Sequence, residues 1–323
     1  MKSAIRNDRG VALILVLLMV SVIVVLTLQL NVSSRAQVYE AANLGDGIRV
    51  LYIAKSGLFA GMGILYEDKA DADTLNEAWA QAEGLTEQSM SYFDGGYLEL
   101  VIEDESGKIN INKLVEGNGF NNAMKGLLTR FLSHPRFKLR DPEVEALVNA
   151  IKDWIDADSE VTGTGAENAY YQGLGKAYTA RNAPMESVDE LLLVRGVTRE
   201  LFYGTPENPG LYRFLTVYGE GKININTAPK EILQALSPGV TEDMANRMDD
   251  YRRNPANSLT DPSWYRKVAG MESMTLDSPM LSTKSDSFQI ISTGHLGSMK
   301  RTIRGIVKRD SEKKLSVVAW RLG

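Results

Sequence analysis

The chain has 323 residues, 44% hydrophobic and 24% charged, enough to bury one large domain or two ordinary ones and too apolar to be disordered. A net charge of −5 argues against a general nucleic-acid or anionic-membrane binder. With no cysteine and only His134 and His295, disulfides, thiolate chemistry and cysteine zinc sites are excluded; no Walker, G-x-S-x-G or G-x-G-x-x-G pattern is present, so the chain does not read as an enzyme.

The run from Val11 to Leu30 carries no charge. At about 1.5 Å per residue a helix of that length covers roughly 30 Å, the hydrocarbon thickness of a bilayer. Lys2, Arg6 and Arg9 outnumber Asp8 ahead of it, which holds the leader in the cytoplasm and sends the long C-terminal part outward. The residues after the run, Asn31 to Ala36, make a poor secretory cleavage site. A basic leader ending in Gly10 instead resembles a type IV prepilin-like leader, and an uncut signal anchor is the plainer alternative. The resemblance implies that a membrane peptidase cuts between Gly10 and Val11. Pilins usually carry Glu at the fifth mature position, where this chain has Leu15. A carboxylate at that depth costs about 3 kcal/mol and needs a partner. In that family the partner is the terminal amine of the subunit ahead, so Leu15 favours a fibre tip or no fibre.

Apolar residues continue at helical spacing from Val38 to Leu65, predicting an amphipathic stem; Gly45 and Gly47 offer a break that would make it a separate helix. Ser89 to Glu103, with Asp94-Gly95-Gly96 at its centre, predicts a β-hairpin. Three C-terminal strands are expected at Ser287–Thr293, Met299–Arg309 and Leu315–Trp320. Between these regions lies a helical middle, bracketed by the repeated hexapeptide Gly107–Asn112 and Gly221–Asn226, whose alternating Ile and Asn suit equivalent strand ends leading into helices. Helices are expected at Asn121–Leu132, Pro142–Ile155, Ser187–Val194, Ala228–Leu236 and Glu242–Arg253. Ser187 with Glu190 forms a capping box, and Thr227 with Pro229 signals another start.

Turns at Arg195-Gly196-Val197 and Pro238-Gly239-Val240 resemble those of helix-hairpin-helix units, which leaves DNA binding or protein packing as readings. Phosphate binding needs free cations, and here Glu242, Asp243, Asp249 and Asp250 accompany Arg247, Arg252 and Arg253. A sharper signal is Asp156-Ala-Asp158-Ser-Glu160-Val-Thr162 running on to Glu167, where oxygen ligands fall at the first, third, fifth and twelfth places of an EF-hand loop, and Thr162 can add its carbonyl at the seventh. Val161 stands where that loop wants glycine. A calcium site and a solvated acidic loop both remain open. His134 and His295 are read as exposed turn residues, and Trp79, Trp154, Trp264 and Trp320 as core or interface.

The leader Arg9-Gly10 followed by VALILVLL, the pair DESGKININ and GEGKININTAPKEILQAL, the DWIDAD segment with GAENAYY, and SVDELLLVRGV together resemble the K-class minor pseudopilins of type II secretion, over nearly the whole chain. That resemblance implies an α+β pseudopilin fold: a long N-terminal helix packed on an antiparallel sheet, with a large inserted helical domain containing the helix-hairpin-helix-like units. The expected division is leader 1–10, membrane and stem helix 11–66, sheet 89–112, 212–226 and 285–323, and inserted domain 113–211 and 227–284. It also implies a single-pass inner-membrane protein with its C-terminal domain in the periplasm, cut by the prepilin peptidase and methylated at Val11. Such a subunit would cap the pseudopilus with I- and J-class minor pseudopilins and other pseudopilins, and start its assembly for protein export across the outer membrane. Calcium at Asp156, Asp158, Glu160, Thr162 and Glu167 is implied as well, and no nucleic acid is expected. A membrane-anchored helix-hairpin-helix DNA-binding protein is the alternative.

Overall fold

The computed structural model describes residues 8–276 and 280–323; the expected leader residues 1–7 lie outside it. Helix α1 runs from Asp8 to Glu67 without a break at Gly45 or Gly47. Its first half, including Val11 to Leu30, is exposed. From Val50 onward one face is buried at helical spacing through Ile53, Ala54, Gly57, Leu58, Gly61 and Leu65. That face lies on a four-stranded antiparallel sheet of β1 (Gly96–Asp104), β2 (Ser287–Leu296), β3 (Met299–Arg309) and β4 (Leu315–Leu322), in that spatial order.

Alternation along each strand turns one set of side chains to the helix: Leu98, Leu100 and Ile102 from β1, Phe288 and Ile290 from β2, and Ile303 and Val307 from β3. Close approach is set by small residues. A Cβ added at Gly57 would stand 2.0 Å from Ser292 Oγ, and one at Gly305 2.7 Å from Leu58 Cδ1. The expected hairpin around Asp94–Gly96 does not form. Residues Leu85–Ser89 are a short helix, Gly95 turns the chain at φ 71°, and β1 finds its partner in β2, far along the chain. His295, expected in a turn, is inside β2, stacked on Tyr97 with ring centroids 4.4 Å apart.

Residues between β1 and β2 build a second core. Helix α2 (Asn122–Leu132) starts where the Asn121 side chain accepts the Met124 amide, and it buries Met124, Leu127, Leu128, Phe131 and Leu132. Helix α3 (Asp141–Ile155) starts where Glu143 accepts the Arg140 amide at 2.8 Å, and it buries Val144, Leu147, Val148, Ile151, Trp154 and Ile155. The capping box of Ser187 and Glu190 opens a 3-10 helix, Val188–Leu193. Helix α4 (Lys230–Ala235) begins later than expected, because Thr227 commits its hydroxyl to Asp104 and Pro229 takes the cap position. Helix α5 (Glu242–Arg253), capped by Thr241, packs against α4. The other expected helical hairpin is only that 3-10 helix, a turn at Gly196 and the five-residue helix Arg199–Tyr203.

The two hexapeptides take the same local form. In each, an Asn side chain accepts the amide two residues on (Asn110 to Asn112 at 3.1 Å, Asn224 to Asn226 at 3.0 Å), while Ile109, Ile111, Ile223 and Ile225 are buried. Each also forms a two-residue parallel pairing, Ile109–Asn110 with Leu215–Thr216 and Ile223–Asn224 with Leu281–Ser282. Residues 212–226 therefore do not extend the four-stranded sheet as expected; their isoleucines point into the helical core.

A buried polar knot ties the two cores together. Asp104, the last residue of β1, accepts from Ser285 Oγ at 2.6 Å, Asn224 Nδ2 at 3.1 Å, the Ser106 amide at 2.7 Å and the Thr227 hydroxyl. Burial pushes the Asp104 carboxyl up to about 6, against the pull of the Ser285 and Thr227 hydrogen bonds. Beside it Arg309 pairs with Asp73 and with Asp68 at 3.0 Å, and donates to Ser285 O at 3.0 Å.

Candidate metal centre

The acidic loop follows directly from the C-terminus of α3 and returns to the core at the short helix Asn168–Gln172. Its carboxylates converge: Asp156, Asp158 and Glu167 each place an oxygen within 4.8 Å of the others. Oxygens bound to one calcium ion at about 2.4 Å lie no more than about 5 Å apart, so this spacing suits a shared hard cation. Asp156 and Glu167 are 1% and 2% exposed, and Asp156 Oδ1 and Glu167 Oε1 have no hydrogen-bond partner among the described residues. Burial first, and the neighbouring acids after it, raise the pKa of both carboxyls, though Lys152 pulls Asp156 the other way. Buried acceptors left bare beside other acids are costly, and a divalent cation would relieve both defects.

The other expected ligands stand differently. Glu160 is exposed and outside the converging set; its amide donates to Asp158 Oδ1 at 2.9 Å. The Thr162 carbonyl accepts the Gly165 amide at 2.8 Å, and its hydroxyl accepts from Lys152 at 2.9 Å. The tight turn an EF-hand makes at its sixth place occurs here at Gly163, with φ 53°. Gly165 permits a second close approach, since a Cβ there would stand 2.1 Å from Asp153 Oδ2.

Two residues of the site lie outside the set that loop spacing picks out. Asp153 accepts the Thr162 amide at 3.1 Å and thereby pins the loop to α3. Lys152 sends its ammonium to Asp156, and the spacing of four between them on a helix is the signal that could have found it. A second acidic group, Asp68, Asp73 and Glu77, also converges, but there Arg309 already supplies the cation.

Gly10 and Val11 both lie on the exposed first turns of α1, and a Cβ built at Gly10 would meet no side chain among the described residues beyond its chain neighbours. The described helix from Gly10 to Glu67 is long and apolar enough to cross a membrane. On α5, Arg252 and Arg253 are both bound to Asp249, at 2.6 and 2.9 Å, and Arg247 to Asp243 at 2.9 Å. That pairing leaves little to attract phosphate, and the DNA-binding alternative is not favoured. His134 closes a turn by accepting the Arg136 amide at 3.2 Å.

Comparison with known proteins adds sequence and fold. A family model described as type II secretion system, protein K matches residues 107–204. The type II secretion system protein K of Pseudomonas aeruginosa is 28% identical over 331 residues, covering 98% of this chain and 94% of the relative. That of Aeromonas hydrophila is 27% identical, with 96% of each covered. Among solved structures, a chain of the GspK-GspI-GspJ complex from the enterotoxigenic Escherichia coli type 2 secretion system superimposes with a TM-score of 0.70 at 19% identity, over 88% of this chain and 99% of that one.

Proposed function

The chain belongs to the protein K family of type II secretion systems, the K-class minor pseudopilins, and from that premise we propose that it caps the pseudopilus tip. In this reading it is cut between Gly10 and Val11, is held in the inner membrane by the apolar half of α1, and carries its sheet and helical domain in the periplasm. It initiates the fibre together with I- and J-class minor pseudopilins. Support for those partners comes from the related Escherichia coli chain, which was solved in complex with GspI and GspJ.

The observation that carries the tip position is Leu15. At the depth where a pilin subunit offers a carboxylate to the terminal amine of its neighbour, this chain offers a leucine, 52% exposed on α1. A subunit stacked ahead would bring an unpaired ammonium into the hydrocarbon, at a cost of several kcal/mol. The large body inserted between β1 and β2 adds bulk at the outer end, which also favours a cap. Mass spectrometry of the protein from its native membrane tests the processing: a chain beginning at methylated Val11 is expected, and one beginning at Met1 overturns the reading. Co-purification of the full-length chain with I- and J-class subunits tests the assembly, and failure to form a ternary complex would refute it.

The acidic loop is read as a calcium site, with Asp156, Asp158 and Glu167 as the carboxylate ligands. When bound, the ion would supply positive charge that holds the loop in place; no reaction is assigned to it. Affinity in the extracellular range, on the order of 0.1 to 1 mM, suits such a structural role. Calorimetry with calcium chloride should show binding heat that the double variant Asp156→Ala, Asp158→Ala lacks, and absence of heat in the native protein removes the site.

A further inference from the structure

Lys152 lies where the ion of the acidic loop would have to act. Its side chain is 8% exposed, and its ammonium is bonded to Asp156 and, at 2.9 Å, to the Thr162 hydroxyl. Those are two residues of the expected ligand set. The ammonium thus bridges the end of α3 to the middle of the loop, the same span that a cation shared by Asp156, Asp158 and Glu167 would close. Around it the charge is unbalanced. Asp153, Asp156, Asp158 and Glu167 face a single ammonium, and two of their buried oxygens are bare. One internal cation therefore spans the loop and is too little to neutralise it. The Phe120 ring, with its centroid 5.8 Å from Nζ, offers the ammonium another place to rest.

We propose that Lys152 is the resident counter-cation of this loop: it keeps the site assembled in the ion-free protein and is displaced from Asp156 when calcium binds. The proposal rests on the calcium reading above. Affinity is then set by competition. The ion gains the acids only by dislodging a cation already bound to one of them, which lowers affinity and lets the loop keep its shape before the ion arrives.

The test compares full-length native protein in detergent with Lys152→Met, which keeps the stem and removes the charge. Calcium chloride calorimetry should show the variant binding at least tenfold more tightly, while its ion-free melting temperature falls. In the native protein, acetic anhydride labelling followed by mass spectrometry should show Lys152 becoming severalfold more reactive when calcium is added. Equal calcium affinity in the two proteins, with Lys152 equally protected with and without calcium, overturns the counter-cation role and leaves the calcium site standing. No binding heat in either protein overturns both. If Lys152→Met folds only when calcium is present, that dependence supports the proposal; if it does not fold at all, labelling of the native protein decides.

Discussion

Asp104 provides a quantitative test of the junction between the two cores. The carboxyl is buried and pushed up to about 6, from an ordinary 3.8. A folded state that holds its proton more tightly than the unfolded chain is most stable below the unfolded pKa and loses that stability as pH rises through the folded one. Two units at about 1.4 kcal/mol each give a loss of about 3 kcal/mol between roughly pH 4 and pH 6. Asp104→Asn removes the titration while keeping the shape. Its amide nitrogen must then meet one of the donors that Asp104 accepts from, so the variant is less stable overall at acid pH. Chemical denaturation of both proteins from pH 4 to pH 7 isolates the effect, because titrations that do not couple to Asp104 are common to the pair, and the coupled Asp73 is a smaller contributor than burial. The stability advantage of the native protein should shrink by about 3 kcal/mol across that range. An advantage that is flat with pH, or that grows as pH rises, would refute the assignment of a raised, burial-dominated pKa to this carboxyl.

Gly57→Ala should destabilise by about 1–3 kcal/mol, because the new methyl would overlap Ser292 Oγ, outweighing the roughly 1 kcal/mol that alanine gains over glycine in a helix; a raised melting temperature would contradict this. Arg309→Met leaves Asp68 and Asp73 without their cation and should cost about 3–5 kcal/mol in denaturant unfolding at pH 7. The loss should be smaller at pH 5, since burial already raises the Asp73 pKa against the opposing pull of Arg309. Asn226→Ala deprives the Trp264 indole N–H of its acceptor at 2.7 Å and should cost about 1–3 kcal/mol, read by the unfolding midpoint.

How far the sequence exposes this structure depends on whether the signal is local. The apolar run, the helix starts at Asn121, Ser187 and Glu242, and the three C-terminal strands are set by neighbours within a few residues, and they stand where the spacing puts them. The hexapeptide repeat is legible as a pair of equivalent pieces, but its partners Leu215–Thr216 and Leu281–Ser282 are not, because two-residue parallel pairings leave no periodicity. The aromatic run before β1 reads as half of a hairpin for a related reason. Alternation at Tyr97–Val101 shows a strand with a buried face, and it does not say that the partner is Ser292 rather than Phe93. Within the acidic loop, spacing locates Asp156, Asp158 and Glu167. It also picks out Glu160, whose side chain is exposed and outside the converging set, on a loop that Asp153 and Gly165 seat against α3.

The pairing of β1 with β2 has a consequence for biosynthesis. The first strand leaves the ribosome long before its partner, and everything between Asp104 and Ser287 must be made before the ladder can close. The intervening segment has its own core and can settle during that wait, whereas β1 and the sheet-facing side of α1 cannot finish until the last few dozen residues arrive. Truncation near the C-terminus should therefore leave a protein half shaped, with its sheet layer open to chaperones and proteases and its helical body intact.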